Sequence, residues 1–171
     1  MKSTLLSLAF FISMLAYCQN NIFDICRSGN VHDIEKVFNE DPSMINAKND
    51  AGYTPLILAC YHGNESIVKF LLDKNCDVNS NSDNGTPLMA AVVKQNLNIT
   101  NMLLEKKADP NIADTNGTTA LHYATLFKQN EIAELLVRAG ANYDLKDGNG
   151  KSAYDYALIN NNKELLSLFK N

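Results

Sequence analysis

The sequence lacks tryptophan and has few basic residues, which are spread along the chain. Lysine and arginine together number 15, against 19 aspartate and glutamate residues, and the formal net charge is −4. Binding to a nucleic acid requires clustered positive charge that neutralises phosphates, so we expect no nucleic-acid partner. An acidic balance of this size favours a neutral or basic protein partner only weakly.

The residue combinations of catalytic and metal sites are also missing. The three histidines, His32, His62 and His122, lie far apart, and none has a second His, Cys or carboxylate at metal-ligand spacing. No nucleophile–base pair, phosphate-binding loop or pair of carboxylates stands out. We therefore predict a protein that is not an enzyme and that uses no metal and no small-molecule cofactor.

The sequence has one long apolar run, at its N-terminus. Residues 5–17 follow Lys2 and are too few to span a bilayer as a helix. A positive residue followed by a short apolar run is typical of a secretory signal peptide, although an uncleaved membrane anchor is an alternative. We expect cleavage after residue 18 and export to the periplasm or the extracellular space. Residues 15–18 also resemble a lipoprotein box, which would place lipid on Cys18 and the protein at a membrane, but Tyr17 fits that box poorly.

The stretch Thr54-Pro55-Leu56-Ile57-Leu58-Ala59 occurs four times in related forms. The other copies begin at Thr86, Thr119 and Ser152, at steps of 32, 33 and 33 residues. A fixed period of this length indicates a stack of structural repeats. Each copy is suited to begin a helix, because a Thr or Ser hydroxyl accepts hydrogen bonds from free backbone N–H groups. Proline in the first turn costs nothing, since its missing N–H would have had no partner there.

The rest of the unit repeats in phase with these copies. A turn precedes each one, at residues 50–52, 83–85, 114–117 and 147–150. A second apolar helix is predicted over residues 67–72, 99–104, 132–137 and 165–169. Short acidic or amide loops follow at residues 76–79, 108–111 and 141–144. The unit resembles the ankyrin repeat, whose T-P-L-H-x-A signature is matched most closely by residues 54–59 and 119–124. This resemblance implies an all-α solenoid of stacked helix-turn-helix units with short β-hairpin-like finger turns.

The resemblance divides the chain into a signal peptide, residues 1–18, and one ankyrin repeat domain, residues 19–171. The domain would hold an N-terminal capping repeat (20–48), three repeats (49–81, 82–113, 114–146) and a C-terminal capping repeat (147–171). Two departures from the family pattern stand out. The turn before Thr86 is one residue shorter than the others. Gly63 lies between two helices where a left-handed residue is usual, yet Gln95, Lys128 and Asn161 occupy the matching positions.

The repeat pattern also predicts which side chains are internal. The leucines expected in the core are Leu56, Leu71, Leu72, Leu88, Leu103, Leu104, Leu121, Leu135 and Leu136. Cys26, Cys60 and Cys76 fall in positions where the family has alanine, so we expect buried, reduced thiols. His122 occupies the histidine position of the signature, where the resemblance implies hydrogen bonds to backbone between repeats.

Ankyrin-like proteins generally bind other proteins through the concave face formed by finger turns and first helices. The positions on that face that packing does not explain are Tyr53, Tyr61, His62, Val93, Lys94, Thr118, Leu126, Phe127, Lys151, Ile159 and Asn160. Five of them could form one apolar stripe: Tyr61, Val93, Leu126, Phe127 and Ile159. Leu126 and Phe127 could instead pack onto the next repeat.

We therefore predict a monomeric, non-enzymatic module that binds an unidentified protein after export. A lipid-anchored assembly protein and an immunity-type inhibitor of a toxin are the alternatives. Three Asn-x-Ser/Thr sequons, at Asn64, Asn98 and Asn116, would be glycosylated only in a eukaryotic secretory pathway.

Overall fold

The computed structural model describes residues 22–170, and the regular structure within that range is helical, with no strand. The predicted signal peptide and Cys18 lie outside the described residues. The helices are α1 (residues 22–28, as far as described), α2 (Val31–Glu40), α3 (Pro55–His62), α4 (Glu65–Asp73), α5 (Pro87–Val93), α6 (Leu97–Glu105), α7 (Ala120–Leu126), α8 (Asn130–Arg138), α9 (Ala153–Ile159) and α10 (Lys163–Leu168). The prediction of an all-α repeat solenoid is confirmed.

The helices form two packed rows. The first helices α3, α5, α7 and α9 pack side by side in chain order, and α2, α4, α6, α8 and α10 form the second row. Buried leucines such as Leu56, Leu88 and Leu121 fill the space between neighbouring repeats. Since each unit covers the apolar face of the next, the core is one continuous layer along the stack. No helix within residues 22–170 is long and apolar enough to cross a membrane.

Side-chain caps begin most of these helices, as the sequence predicts. The hydroxyl oxygen of Thr54 accepts a hydrogen bond from the backbone N–H of Ile57, and that of Thr86 accepts one from Met89. Second helices use asparagine in the same role, as at Asn64 before α4. Each cap satisfies a backbone donor that would otherwise have no partner within its helix.

Residues Pro42–Asn46, which lead into the first finger turn, form a 3-10 helix capped by the carboxylate of Asp41. The expectation that two of the leucines are in the core is wrong. Leu104 and Leu135 are half-buried, although both were predicted in the core. A residue in a helix turns by about 100° relative to its neighbour, so Leu103 points into the stack while Leu104 lies toward its edge.

The finger turns follow one hydrogen-bond pattern, with one exception. The N–H of Asp114 donates to the carbonyl oxygen of Thr118 at 3.0 Å, and two other fingers repeat this bond. In the remaining finger, Ser82 and Gly85 exchange backbone hydrogen bonds of 3.2 and 2.9 Å. This finger is therefore one residue shorter, as predicted from the sequence.

The turns between paired helices are left-handed whether or not glycine is present. Gly63 has φ +72°, while Gln95, Lys128 and Asn161 have φ +57°, +57° and +50°. A left-handed backbone costs a residue with a Cβ roughly 1–2 kcal/mol. The three positions without glycine therefore keep the left-handed turn at a cost in backbone strain.

A row of asparagine side chains joins the loops of successive repeats. Each accepts a hydrogen bond from a backbone N–H of the following loop. The pairs are Asn46 with Asp77 at 2.8 Å, Asn79 with Asp109 at 2.8 Å and Asn111 with Asn142 at 2.7 Å. These bonds fix the register of neighbouring repeats in the loops that lead into the finger turns.

The three described cysteines are buried, as predicted. Burial raises the pKa of the Cys26 and Cys76 thiols to about 12, and the pKa of Cys60 is also raised well above its usual value by burial. Since the thiolate is the reactive form, these side chains act as small apolar groups in the native state.

Candidate functional site

The concave side of the stack contains a cavity of about 570 Å³ between three first helices and the finger turns above them. We call this cavity the groove. Helix α3 contributes Tyr61 and His62, and α5, which packs between α3 and α7, contributes Met89, Ala90 and Val93. The lining also includes Tyr53, Asn84, Asp114, Asn116, Tyr123 and Phe127.

The structure brings five of the predicted binding residues into the groove, and these are Tyr53, Tyr61, His62, Val93 and Phe127. The other six lie outside its lining: Lys94, Thr118, Leu126, Lys151, Ile159 and Asn160.

The exposed apolar side chains divide between the groove and the neighbouring surface. Within the groove, Tyr61 is 47% exposed and Phe127 is 48% exposed. Leu126 and Ile159 are also exposed and lie outside the groove lining, as does Leu158, which is 52% exposed and was not predicted. The exposed apolar side chains of the predicted stripe therefore lie only partly within the groove.

The short finger turn packs closely against the lining of the groove. Gly85 of that turn is buried, and a Cβ at its position would lie 2.2 Å from the sulfur of Met89. The missing residue corresponds to Tyr53, which lines the groove from the preceding finger. The second finger has no side chain at that position, and the sulfur of Met89 fills the space that a side chain at Gly85 would need.

A carboxylate lies at the side of the groove. One oxygen of Asp114 accepts hydrogen bonds from the backbone N–H groups of Asn116 at 2.8 Å and Thr118 at 3.0 Å. The other oxygen accepts a hydrogen bond from the hydroxyl of Tyr123 at 2.7 Å. Burial and this hydrogen bond raise the pKa of Tyr123 to about 12. Sequence reasoning missed this pair, although the nine-residue spacing recurs in Asp147 and Tyr156, which form the same bond.

Aromatic rings line the same groove as this carboxylate. The rings of Tyr123 and Phe127 stack with centroids 6.2 Å apart. The ammonium of Lys94 lies 4.9 Å from the ring centroid of Tyr61, another lining residue. The groove thus offers aromatic surface with polar groups at its edges, an arrangement that binds side chains. Within residues 22–170 no group of His, Cys, Asp and Glu side chains could hold a metal ion.

His122 has a structural role beside the groove. Its Nδ1 lies 3.1 Å from the backbone N of Thr119 and accepts that hydrogen bond. Its Nε2 lies 3.1 Å from the carbonyl oxygen of Lys151 in the next finger, so Nε2 carries the proton and donates. The histidine is fully buried, and the predicted hydrogen bonding to backbone between repeats is confirmed.

Fold and groove together define a helical repeat solenoid with a concave surface suited to binding. The family model of ankyrin repeats (3 copies) matches residues 18–114 and 107–171, and the chain belongs to the ankyrin repeat family. Ankyrin repeats are generally protein–protein interaction modules and are typically not enzymes.

Similar proteins share only part of the chain. Ankyrin repeat and SAM domain-containing protein 6 of Rattus norvegicus is 36% identical over 59 residues, which cover 34% of this chain and 7% of that protein. Palmitoyltransferase akr1 of Aspergillus oryzae is 37% identical over 60 residues, or 35% of this chain and 8% of that protein. The NAD-capped RNA hydrolase NUDT12 of Homo sapiens is 35% identical over 49 residues, or 29% of this chain and 11% of that protein. The matches therefore span about a tenth or less of these relatives.

Proposed function

We propose that this protein is a monomeric, non-enzymatic module that acts after export and binds a protein partner through the groove. The observation that supports this most is the exposure of large aromatic side chains there, with Tyr61 at 47% and Phe127 at 48%. Aromatic side chains inside a patch with a polar edge are typical of binding hot spots.

Phe127 is the residue we expect to contribute most to binding. It directly follows α7, the last of the three first helices that line the groove, and stacks on Tyr123. A phenylalanine offers a large contact area with only two rotatable bonds to immobilise, so it gains affinity at a low entropic cost. The stacking limits its freedom further before a partner arrives.

The binding test begins with a partner isolated by pull-down from the native host and identified by mass spectrometry. Phe127→Ala should then weaken its binding by about 2 kcal/mol or more, the usual threshold for a hot spot. The melting temperature should change little, since half of the Phe127 side chain is exposed. Lys69→Ala on α4 is the control, because Lys69 is exposed and lies outside the groove. A large loss of stability with unchanged affinity would contradict the proposal.

The proposal of export rests on Lys2 and the apolar residues 5–17. Mass spectrometry of the protein from its native host tests it directly, and the expected first residue is Gln19. An intact Met1 would overturn export, and acyl chains on Cys18 would favour a lipid-anchored assembly protein instead. Light scattering of the purified protein tests the monomeric state.

A further inference from the structure

Asp114 is a buried carboxylate that forms no ion pair within the described residues. The residue is 8% exposed, and none of the ion pairs among residues 22–170 includes it. Buried charges are usually paired, because a carboxylate loses hydration when water is excluded. Asp114 accepts three hydrogen bonds, two on one oxygen and one from Tyr123 on the other. The second oxygen therefore retains an acceptor position.

The charge near Asp114 is mainly negative on the finger side of the groove. Asp114 also lines a second cavity of about 600 Å³ between the fingers, together with Asp50, Asp83 and Lys48. The ammonium of Lys48 donates to the carbonyl oxygen of Asn81 at 3.0 Å. Three carboxylates and one lysine therefore line this cavity. The excess of negative charge attracts a cation toward Asp114, which lines both cavities.

The rings of the groove favour a cation as well. An aromatic face attracts positive charge within about 6 Å of its centroid. The ammonium of Lys94 occupies such a position over Tyr61. The stacked rings of Tyr123 and Phe127 belong to the same lining as Asp114. His62 also lines the groove. Lys94 lies beside the groove, and its positive charge would oppose an incoming cation.

We propose that the groove accepts an arginine side chain of the protein partner, with its guanidinium on the free acceptor position of Asp114. This inference rests on the proposed function and names the chemistry that the groove recognises. Arginine fits better than lysine, because a guanidinium is weakly hydrated and stacks on aromatic rings. An apolar side chain fits less well, because it would remove the remaining water from Asp114 and offer no charge in return.

The test uses the full 171-residue chain and small probes of defined chemistry. The probes are N-acetyl-arginine methylamide and its citrulline and norleucine counterparts, titrated while backbone amide signals are followed by NMR. Citrulline has nearly the shape of arginine and carries no charge. The arginine probe should bind about tenfold or more tightly than the citrulline probe, as a charged hydrogen bond predicts. The shifts should centre on the amides of Asn116 and Tyr123.

The matched variants are Asp114→Asn and Asp147→Asn. An asparagine is compatible with this turn, because Asn49 at the equivalent position accepts the same two backbone hydrogen bonds, from Ala51 and Tyr53. Asp114→Asn should therefore remain folded and lose the tenfold preference for arginine. Asp147 occupies the equivalent position in the next finger, outside the groove, so Asp147→Asn should keep that preference.

Three results would overturn the proposal. They are equal binding of the arginine and citrulline probes, an unchanged preference in Asp114→Asn, and no saturable shifts from the arginine probe up to its solubility limit. A failure here differs from a failure of the proposed function. If Phe127→Ala loses the partner while Asp114→Asn keeps it, the groove is the binding site but does not recognise arginine.

Discussion

The backbone N–H of Gly148 donates a hydrogen bond of 2.7 Å to the carbonyl oxygen of Asn116, and so joins the third and fourth finger turns. The earlier fingers are joined through side chains instead. Thr115 donates its hydroxyl to the carbonyl oxygen of Asp83 at 2.9 Å, and Lys48 bonds to Asn81. The finger spacing is therefore fixed most directly at the C-terminal end of the stack.

Gly148→Ala should weaken that junction. A Cβ at Gly148 would lie 3.0 Å from the carbonyl oxygen of Asn116, which is tighter than most real contacts. The two fingers must separate slightly, so we expect a loss of about 1 kcal/mol, in the range of overpacking effects. Faster hydrogen exchange at residue 148 would show the broken bond. Ala51→Gly in the first finger is the comparison, and similar exchange at residue 148 in both variants would contradict the prediction.

Leu103→Ala should destabilise the protein more than Leu104→Ala. Leu103 is fully buried, and large-to-small changes in a core cost about 2–5 kcal/mol. Leu104 is half-buried, so its truncation removes less apolar contact and should cost about 1 kcal/mol. Urea unfolding of both variants measures the difference. Equal losses would mean that the orientation of α6 is wrong.

Lys128→Gly should stabilise the protein. Lys128 is exposed and held at φ +57°, a conformation that glycine adopts without a steric penalty. We expect a gain of up to about 1 kcal/mol, since the relief of strain exceeds the entropy that glycine adds to the unfolded chain. Gly63→Ala is the reciprocal change and should cost about the same amount, because its Cβ would meet only the Asn96 side-chain nitrogen, at an ordinary 3.8 Å, and the backbone strain remains. A gain from Gly63→Ala would be the contrary result.

The Asp147–Tyr156 pair should contribute to stability above about pH 4. The hydroxyl of Tyr156 donates to the carboxylate, and this bond is the largest cause that lowers the pKa of Asp147 from 3.8 to about 2. A carboxylate with a lowered pKa stabilises the folded state above its unfolded pKa, and the contribution is lost as the pH falls toward 2.

Carbon-13 NMR titration of the Asp147 carboxyl tests this directly. In Tyr156→Phe its pKa should rise toward the ordinary value, and the pH dependence of unfolding between about pH 4 and 2 should become shallower. Tyr123→Phe removes the equivalent hydroxyl from the preceding repeat and should leave the pKa of Asp147 unchanged. If Tyr156→Phe leaves it unchanged as well, the hydrogen bond does not set the pKa.

The three buried cysteines should stay reduced and react only after unfolding. Their raised pKa values leave little thiolate at neutral pH. Labelling with a thiol reagent should therefore follow global unfolding in urea, and replacement of Cys26, Cys60 and Cys76 with Ala should leave a folded protein. A Cys26–Cys60 bridge on a non-reducing peptide map would contradict the stacking of the first two repeats.

The sequence allowed the repeats to be predicted because the same local signals return in phase. Thr54 and Thr86 carry caps that a residue type alone reveals, and the missing residue in the turn before Thr86 could be counted. The burial of Leu104 could not be predicted in this way. Leu103 and Leu104 are the same residue type, and the helix orientation set by packing decides which one is internal.

The groove was predictable only in part, for a related reason. Tyr61 and Phe127 stood out because packing gave no reason for an aromatic side chain there. Asp114 did not stand out, because an aspartate in a turn has an ordinary role in the backbone. Its second role depends on Tyr123, nine residues later, and on the lack of an ion pair to Asp114 among residues 22–170, and both require three-dimensional contacts.

The finger turns also affect how fast the protein is modified by asparagine deamidation. Three of them carry an Asn-Gly pair, at residues 84–85, 116–117 and 149–150. Such pairs deamidate when the glycine nitrogen attacks the asparagine side chain. Here each glycine N–H already donates a hydrogen bond to a backbone carbonyl oxygen. The acceptors are the carbonyl oxygens of Ser82, Asp114 and Asp147, at 2.9, 3.0 and 2.9 Å. The folded turn therefore slows a reaction that would add negative charge beside the groove, and a finger that opens often would deamidate first.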